Sequence, residues 1–213
     1  MKSGAQLGLF ASAAVALDEA ALARATRTVL PGPREDEAWL EHAPGFLRGH
    51  EALFEQLRSG VRWRQEKREM YERIVEVPRL YATLPQDGAV PAIVERARTL
   101  LGERYGESFE RISLGYYRDG ADSVAWHGDY VARRMPRALV ATLSVGAPRT
   151  FLLRPKGGGE RVTLSLGWGD LLVMGGSCQR TWEHAVPKVK RAPPRIAIMF
   201  RPVWQEPGDS HDY

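Results

Sequence analysis

Cysteine is almost missing from this 213-residue chain: Cys178 stands alone, so no internal disulfide can form and no zinc site can be built from several thiolates. Such scarcity suits a reducing compartment. Long apolar runs are missing too. The one stretch to weigh is Leu7 to Leu17, which follows Lys2 and carries the small residues Ala11, Ser12 and Ala13, in outward imitation of a secretory signal. Gly and Ala dilute it, a single lysine precedes it, and Leu17-Asp18-Glu19 reads as a helix start with Asp18 as N-cap. No other segment is long and apolar enough to cross a bilayer, so a cytoplasmic protein without membrane contact is expected. Neither charge sign dominates: 30 basic against 26 acidic residues leave a net +4 and a pI near 9.4, compatible with a polyanionic partner without demanding one. Internal repeats and low-complexity tracts are absent.

With 44% hydrophobic and 26% charged residues, wholesale disorder is excluded, and the length allows one domain with a proper core. The first 48 residues offer an Ala-rich helix through Ala20, Ala21, Leu22, Ala25 and Val29, then turn signals at Pro31-Gly32-Pro33 and Pro44-Gly45. A helix from Gly49 to Ser59 would bury Leu53, Phe54 and Leu57 and stop at Gly60. Residues 61–84 are basic and interleaved with aromatics. Arg62, Arg64, Lys67, Arg68, Arg73 and Arg79 could meet phosphates while Trp63, Tyr71 and Tyr81 stack on bases; equally, they could form a solvated face with the rings in the core. From Pro91, the spacing of Ile93, Val94, Ala97, Leu100, Leu101 and Tyr105 predicts a helix laid on a sheet.

After Gly106 the pattern changes to short β-type runs at 109–118, 124–129, 137–145, 149–155, 160–166, 170–174, 181–186 and 195–203. Asp119-Gly120, Gly146-Ala147-Pro148, Gly157-Gly158-Gly159 and Gly175-Gly176 separate them. Eight strands at this spacing point to a jelly roll or barrel. The expected fold is therefore mainly β with flanking N-terminal helices. Residues 1–106 would form a helical extension and 107–204 the β core of one structural domain.

Within that core, His127-Gly128-Asp129 is an H-x-D pair. Residues i and i+2 of a strand point the same way, so an imidazole and a carboxylate converge there, while the intervening Gly lets another backbone or a ligand come close. His184 follows 57 residues later on a separate strand. Two histidines and a carboxylate make the facial triad of non-haem Fe(II) oxygenases, which leaves coordination positions open; a structural zinc site would need a fourth ligand, and no obvious one exists. The last strand, Arg195 to Arg201, puts its two arginines on one face and Ile196, Ile198 and Phe200 on the other. They stand roughly 20 Å apart along the strand. Leaning inward, they could grip opposite ends of a small dicarboxylate, and arginine is a costly choice on an inward face unless an anion waits there.

At this point the chain resembles the AlkB family of Fe(II)- and 2-oxoglutarate-dependent dioxygenases. The resemblance spans about residues 60–203 and rests on Tyr117-Arg118-Asp119-Gly120, Asp122 to Asp129, Ser144 to Phe151, His184, and Arg195 with Arg201. It implies a double-stranded β-helix, Fe(II) held by His127, Asp129 and His184, and 2-oxoglutarate bound by Arg195, Arg201 and Tyr117. It further implies consumption of O2 and release of methyl groups as formaldehyde from bases such as 1-methyladenine and 3-methylcytosine in DNA, by a monomer. Val77-Pro78-Arg79 looks like the segment leading into the family's nucleotide-recognition lid, which makes Arg79, Tyr71, Tyr81 and Arg149 candidate substrate contacts. Two positions depart from the family pattern. Gly115 stands where an Asn commonly precedes the co-substrate tyrosine, so one hydrogen bond worth about 1 kcal/mol is lost or supplied elsewhere. Val131 stands where an acidic residue often helps read the base. The alternatives are the same chemistry on RNA or on a protein side chain, a nucleic-acid-binding module with degenerate chemistry, and a metal-binding jelly roll of another class.

Overall fold

The computed structural model describes residues 14–32, 37–70, 73–129, 132 and 135–203, and only the backbone course of 66–70 and 73–76. In chain order the elements are β1 (Ala16–Leu17), α1 (Glu19–Arg24), β2 (Arg27–Val29), β3 (Ala38–Ala43), β4 (Leu47–Arg48), α2 (His50–Gly60), β5 (Arg64–Met70), β6 (Arg73–Leu84) and α3 (Ala92–Tyr105). There follow β7 (Arg111–Tyr117), β8 (Val124–His127), β9 (Val140–Gly146), β10 (Arg149–Pro155), β11 (Val162–Leu166), β12 (Leu171–Gly176), the single turn α4 (Cys178–Thr181), β13 (Trp182–Val186) and β14 (Arg195–Arg201).

Strands β7 to β14 coincide with the eight runs expected after Gly106. They alternate between two sheets: β12-β9-β14-β7 lie side by side in the larger one, and β11-β10-β13-β8 make up the smaller. Every pairing is antiparallel. Apart from the β10–β11 hairpin within the smaller sheet, each strand crosses to the other sheet, which is the jelly-roll topology.

The expectation of a helical extension before residue 107 needs correction. Although α1, α2 and α3 lie there, β2 and β3 continue the larger sheet beyond β12, and β6 and β5 continue it beyond β7, giving eight strands in all. The Asp18 cap is present, its carboxylate accepting the Ala21 N–H at 3.0 Å, but the helix ends at Arg24 and Val29 lies in a strand. Residues 38–43 escape a periodicity reading because both faces of β3 are covered. Even Glu41, 6% exposed, is satisfied by Arg104, Tyr105 and Arg27. Burial alone would raise the Glu41 pKa; the hydrogen bonds from Tyr105 and Arg104 pull it below the ordinary range.

The larger sheet separates two apolar layers. On its outer face Leu53, Phe54 and Leu57 of α2 and Val94, Ala97 and Leu101 of α3 pack against Leu114, Leu143, Val145, Ile196, Ile198 and Phe200. On its inner face Tyr117, Val140, Leu172, Met174 and Ala197 meet Phe151, Leu153, Leu166 and Trp182 from the smaller sheet. The alternation of β14 expected from sequence thus has Ile196, Ile198 and Phe200 under the helices and Arg195, Ala197, Met199 and Arg201 facing the other sheet.

Where backbones run closest, glycine is obligatory. A Cβ on Gly175 would stand 2.0 Å from the Trp39 ring across the β12–β3 pairing. Gly175→Ala should therefore destabilise the protein by about 1–3 kcal/mol, the usual range for overpacking. The measurement is the urea midpoint, with the slope unchanged.

Candidate metal and anion site

Antiparallel pairing sets His127 of β8 directly opposite His184 of β13. Their ring centroids are 4.3 Å apart, and Phe151 stacks on His184 at 5.3 Å. The His127 ring is oriented by contact of its Nδ1 with the Ala125 carbonyl at 2.8 Å. For His184, withdrawal from water is the larger cause of a pKa well below the ordinary value, followed by the positive charges of His127, Arg201 and Arg79. A neutral imidazole is the form that ligates metals.

Beyond β8 the chain turns, and the Asp129 N–H donates to Gln179 Oε1 at 2.9 Å. Gly128 makes room for α4: a Cβ there would stand 2.4 Å from the Gln179 carbonyl. The Asp129 carboxylate itself accepts from Arg201 Nε, and Arg201 also donates to Ser113 Oγ. Asp129 is thus turned to Arg201, and among the described residues no three His, Cys, Asp or Glu side chains converge on one point. The donor types fit Fe(II): two imidazoles from adjacent strands, with a carboxylate anchored two residues from one of them.

A second cluster surrounds Tyr117, which is 3% exposed. The guanidinium carbons of Arg195, Arg149 and Arg79 lie 5.3, 5.5 and 5.8 Å from its ring centroid. Arg195 is 1% exposed and donates to Ser144 Oγ at 2.6 Å, while its buried Nε has no partner. Burial lowers its pKa to about 10. Among the described residues no carboxylate forms an ion pair with Arg195 or Arg79. Buried guanidinium groups in this condition make an anion site.

Two of the expected substrate contacts are placed differently. Arg149, 3% exposed, donates to the carbonyls of Asp119, Asp122 and Pro187 at 2.8, 2.9 and 2.9 Å, so it ties the loop before the H-x-D pair to the segment that follows β13. Arg79, 9% exposed, points inward to the Tyr117 hydroxyl at 3.3 Å instead of outward to a phosphate-facing surface. Both corrections have one cause: these residues lie on inward positions of β10 and β6. Tyr81 is half-buried and sits opposite Gly115 on the same face as Arg79. Trp63 is packed against Tyr116 at 5.0 Å, on the helix side. Tyr71 and Val131 lie outside the described residues.

Sequence reasoning missed Gln179 and Ser113, and it gave Ser144 no role of its own. A hydroxyl at an inward position of an otherwise apolar strand was the available signal for the serines. Gln179 carried none, because its partner is fixed only by the packing of α4. An open cavity of about 670 Å³ beside Trp39, Tyr105 and Arg137 includes none of these site residues.

Comparison with known proteins places this geometry. A profile described as the 2OG-Fe(II) oxygenase superfamily matches residues 42–201. The chain is 32% identical over 192 residues to the alpha-ketoglutarate-dependent dioxygenase alkB homolog 3 of Bos taurus, covering 79% of this chain and 67% of that protein. It is 32% identical over 120 residues to the DNA oxidative demethylase ALKBH2 of Mus musculus, covering 52% of this chain and 50% of that protein. The chain thus spans about two thirds of the length of the alkB homolog 3 proteins it matches. Among solved structures, OsALKBH1 is alike in fold, with a TM-score of 0.52 at 15% identity over 84% of this chain and 100% of that one. So is a 2OG-Fe(II) oxygenase family oxidoreductase from Burkholderia pseudomallei, with a TM-score of 0.52 at 14% identity over 76% and 84%.

The bonds of Arg149 to three carbonyls give a direct test. Arg149→Lys keeps the charge but loses the planar fork, and is expected to cost about 2–3 kcal/mol of stability through carbonyls left without donors. Chemical denaturation measures this. A loss of oligonucleotide affinity at unchanged stability would instead return Arg149 to the substrate surface.

Proposed function

Because the chain belongs to the AlkB family within the 2OG-Fe(II) oxygenase superfamily, we propose that it oxidatively removes alkyl groups from damaged bases of DNA. The family's cofactor is Fe(II), with 2-oxoglutarate and O2 as co-substrates. The observation that carries this reading is the shared inner wall, with two facing imidazoles and with Arg195 and Arg79 beside Tyr117, neither ion-paired to a carboxylate among the described residues.

In this reading His127, His184 and Asp129 hold the iron. When bound, the metal supplies the oxidising chemistry that acts on the alkyl group. The chain's own residues orient and select. Gln179 fixes the backbone of Asp129, and Arg201 donates to its carboxylate. Arg195, held by Ser144, takes one carboxylate of 2-oxoglutarate beside Tyr117, with Arg201 at the other end of the same strand face. Phe151 and the apolar layer around it exclude water from the His184 side.

The substrate enters past the β5–β6 hairpin, which forms the sheet edge next to β7. We assign this hairpin as the lid over the flipped base, with Tyr81 and Tyr71 as the candidate stacking rings; a lesion that has already broken its pairing is easier to extrude. The name of the DNA oxidative demethylase ALKBH2 supports DNA as the substrate. The protein is proposed to work as a monomer in the cytoplasm. Among the described residues no helix is long and apolar enough to cross a membrane. Burial pushes the lone Cys178 thiol up to about 12, so it stays protonated and unreactive.

Two outcomes are expected. Asp129→Ala should abolish succinate release and weaken Mn(II) binding while leaving the folded content intact, as read by assay, metal titration and circular dichroism. Full activity in this variant would remove Asp129 from the ligand set. Formaldehyde release from a panel of methylated DNA and RNA oligonucleotides tests the substrate. Release from DNA carrying 1-methyladenine or 3-methylcytosine is the expected result; turnover of RNA alone, or of neither, would overturn the assignment.

Replacing Arg195 with Lys retains the charge but loses the bidentate fork, so the 2-oxoglutarate concentration needed should rise about tenfold or more while oligonucleotide binding holds. Succinate formation against 2-oxoglutarate concentration, paired with a DNA-binding isotherm, separates the two.

A further inference from the structure

We propose that Arg79, admitted to the inner wall by Gly115, is a third cation of the co-substrate site and binds a carboxylate of 2-oxoglutarate beside Arg195. The proposal rests on reading this site as the one for 2-oxoglutarate. Its starting point is a collision that glycine avoids: a Cβ at position 115 would lie 2.6 Å from Arg79 Nη1 and 3.5 Å from its Cζ. No side chain larger than hydrogen can stand at 115 while Arg79 keeps its place.

The register explains how the two meet. Strand β6 pairs with β7 so that Tyr81 is directly opposite Gly115 and Leu80 opposite Tyr116. Positions 79 and 81 share the inward face, and Arg79, one strand step beyond Tyr81, reaches back across Gly115 to the Tyr117 hydroxyl at 3.3 Å. That hydroxyl is its one hydrogen-bond partner among the described residues, and its buried Nε has none. Arg195 is in the same condition on the other side of Tyr117. Two buried guanidinium groups on one phenol repel each other, and without a carboxylate their proximity destabilises the fold. An anion between them turns that cost into affinity. The position that commonly offers a neutral amide in the family is here emptied, and a charged, forked donor from the adjacent strand fills the space.

Binding of 2-oxoglutarate to the full chain loaded with Mn(II), measured by calorimetry, reads the effect without turnover. Arg79→Gln should raise the Kd about tenfold or more, as loss of a charge-assisted hydrogen bond does. The same variant should melt no lower than wild type when 2-oxoglutarate is absent and gain less from adding it, because removing one of two like charges relieves repulsion. Gly115→Asn alone should also raise the Kd by displacing Arg79. In the Arg79→Ala background it should lower the Kd relative to Arg79→Ala, a reversal of sign that only direct competition for one space produces. If Arg79→Gln and Arg79→Ala leave the Kd unchanged while Arg195→Lys raises it, the inference fails and the co-substrate reading stands. If oligonucleotide affinity and its salt slope fall instead, Arg79 is a phosphate contact and the inference likewise fails. Should the wild-type protein bind no 2-oxoglutarate, both are overturned.

Discussion

A guanidinium that is 1% exposed, with no carboxylate against it among the described residues, must be held by geometry, and Arg195 imposes that condition on the whole inner wall. Its strand runs in the middle of the larger sheet between β7 and β9, where the backbone cannot shift without breaking two ladders. The outward residues Ile196, Ile198 and Phe200 are locked beneath the helices, and that anchoring forces Arg195 and Arg201 inward. From there the neighbours follow. Ser144 supplies an acceptor from β9, Tyr117 an aromatic face from β7, and Ser113 and Asp129 receive Arg201 at the far end. Apolar packing on one side of the sheet thus fixes the electrostatics on the other.

The β core was legible because its signals are local. Turn residues bracket each of the eight strands, and alternation along β14 states which side is buried. Of the metal-ligand candidates, His127 and His184 are brought together by strand pairing that the sequence does not state, whereas Asp129 lies past the end of β8 and turns to Arg201, off the shared strand face that the H-x-D spacing predicts. What stayed hidden depends on partners distant in sequence. Residues 38–43 form a strand covered on both sides, with Glu41 buried among cations from α3 and β2, and no alternation marks it. In the sequence Arg79 and Arg149 are two basic residues among many. Only the pairing of β6 with β7, and of β10 with β13, sends them inward and separates them from solvated arginines such as Arg62, whose side chain is 77% exposed.

Charge in this site is distributed in a way that bears on how it works. The Asp129 carboxylate has Arg201 at hydrogen-bonding range, which draws it aside from the two imidazoles. A divalent cation placed between His127 and His184 competes with that guanidinium for the same oxygens. Arg201, once released, faces the same wall as Arg195 and needs an anion of its own. In the proposed arrangement metal and dicarboxylate would therefore be coupled through one ion pair: each would satisfy a group that binding of the other leaves without a partner. Ser113 is the second acceptor that Arg201 has on β7.

The glycines of this region carry the same information in another form. Gly128 accommodates the carbonyl of Gln179, Gly120 that of Val189, and Gly115 the guanidinium of Arg79, each at a separation no Cβ tolerates. The first two bring backbone to backbone and stiffen the loops that present His127 and Asp129. Gly115 differs, because what it admits is a charge. Seen from sequence alone, its lack of a side chain reads as a hydrogen bond removed from the co-substrate. Seen in the sheet, the same vacancy is filled from the next strand by a donor that is stronger, forked and positively charged. If Arg79 meets the co-substrate as proposed, a guanidinium where the family commonly has a neutral amide raises the positive charge beside Arg195, and so would shift the site's preference toward ligands that bring two carboxylates over those that bring one.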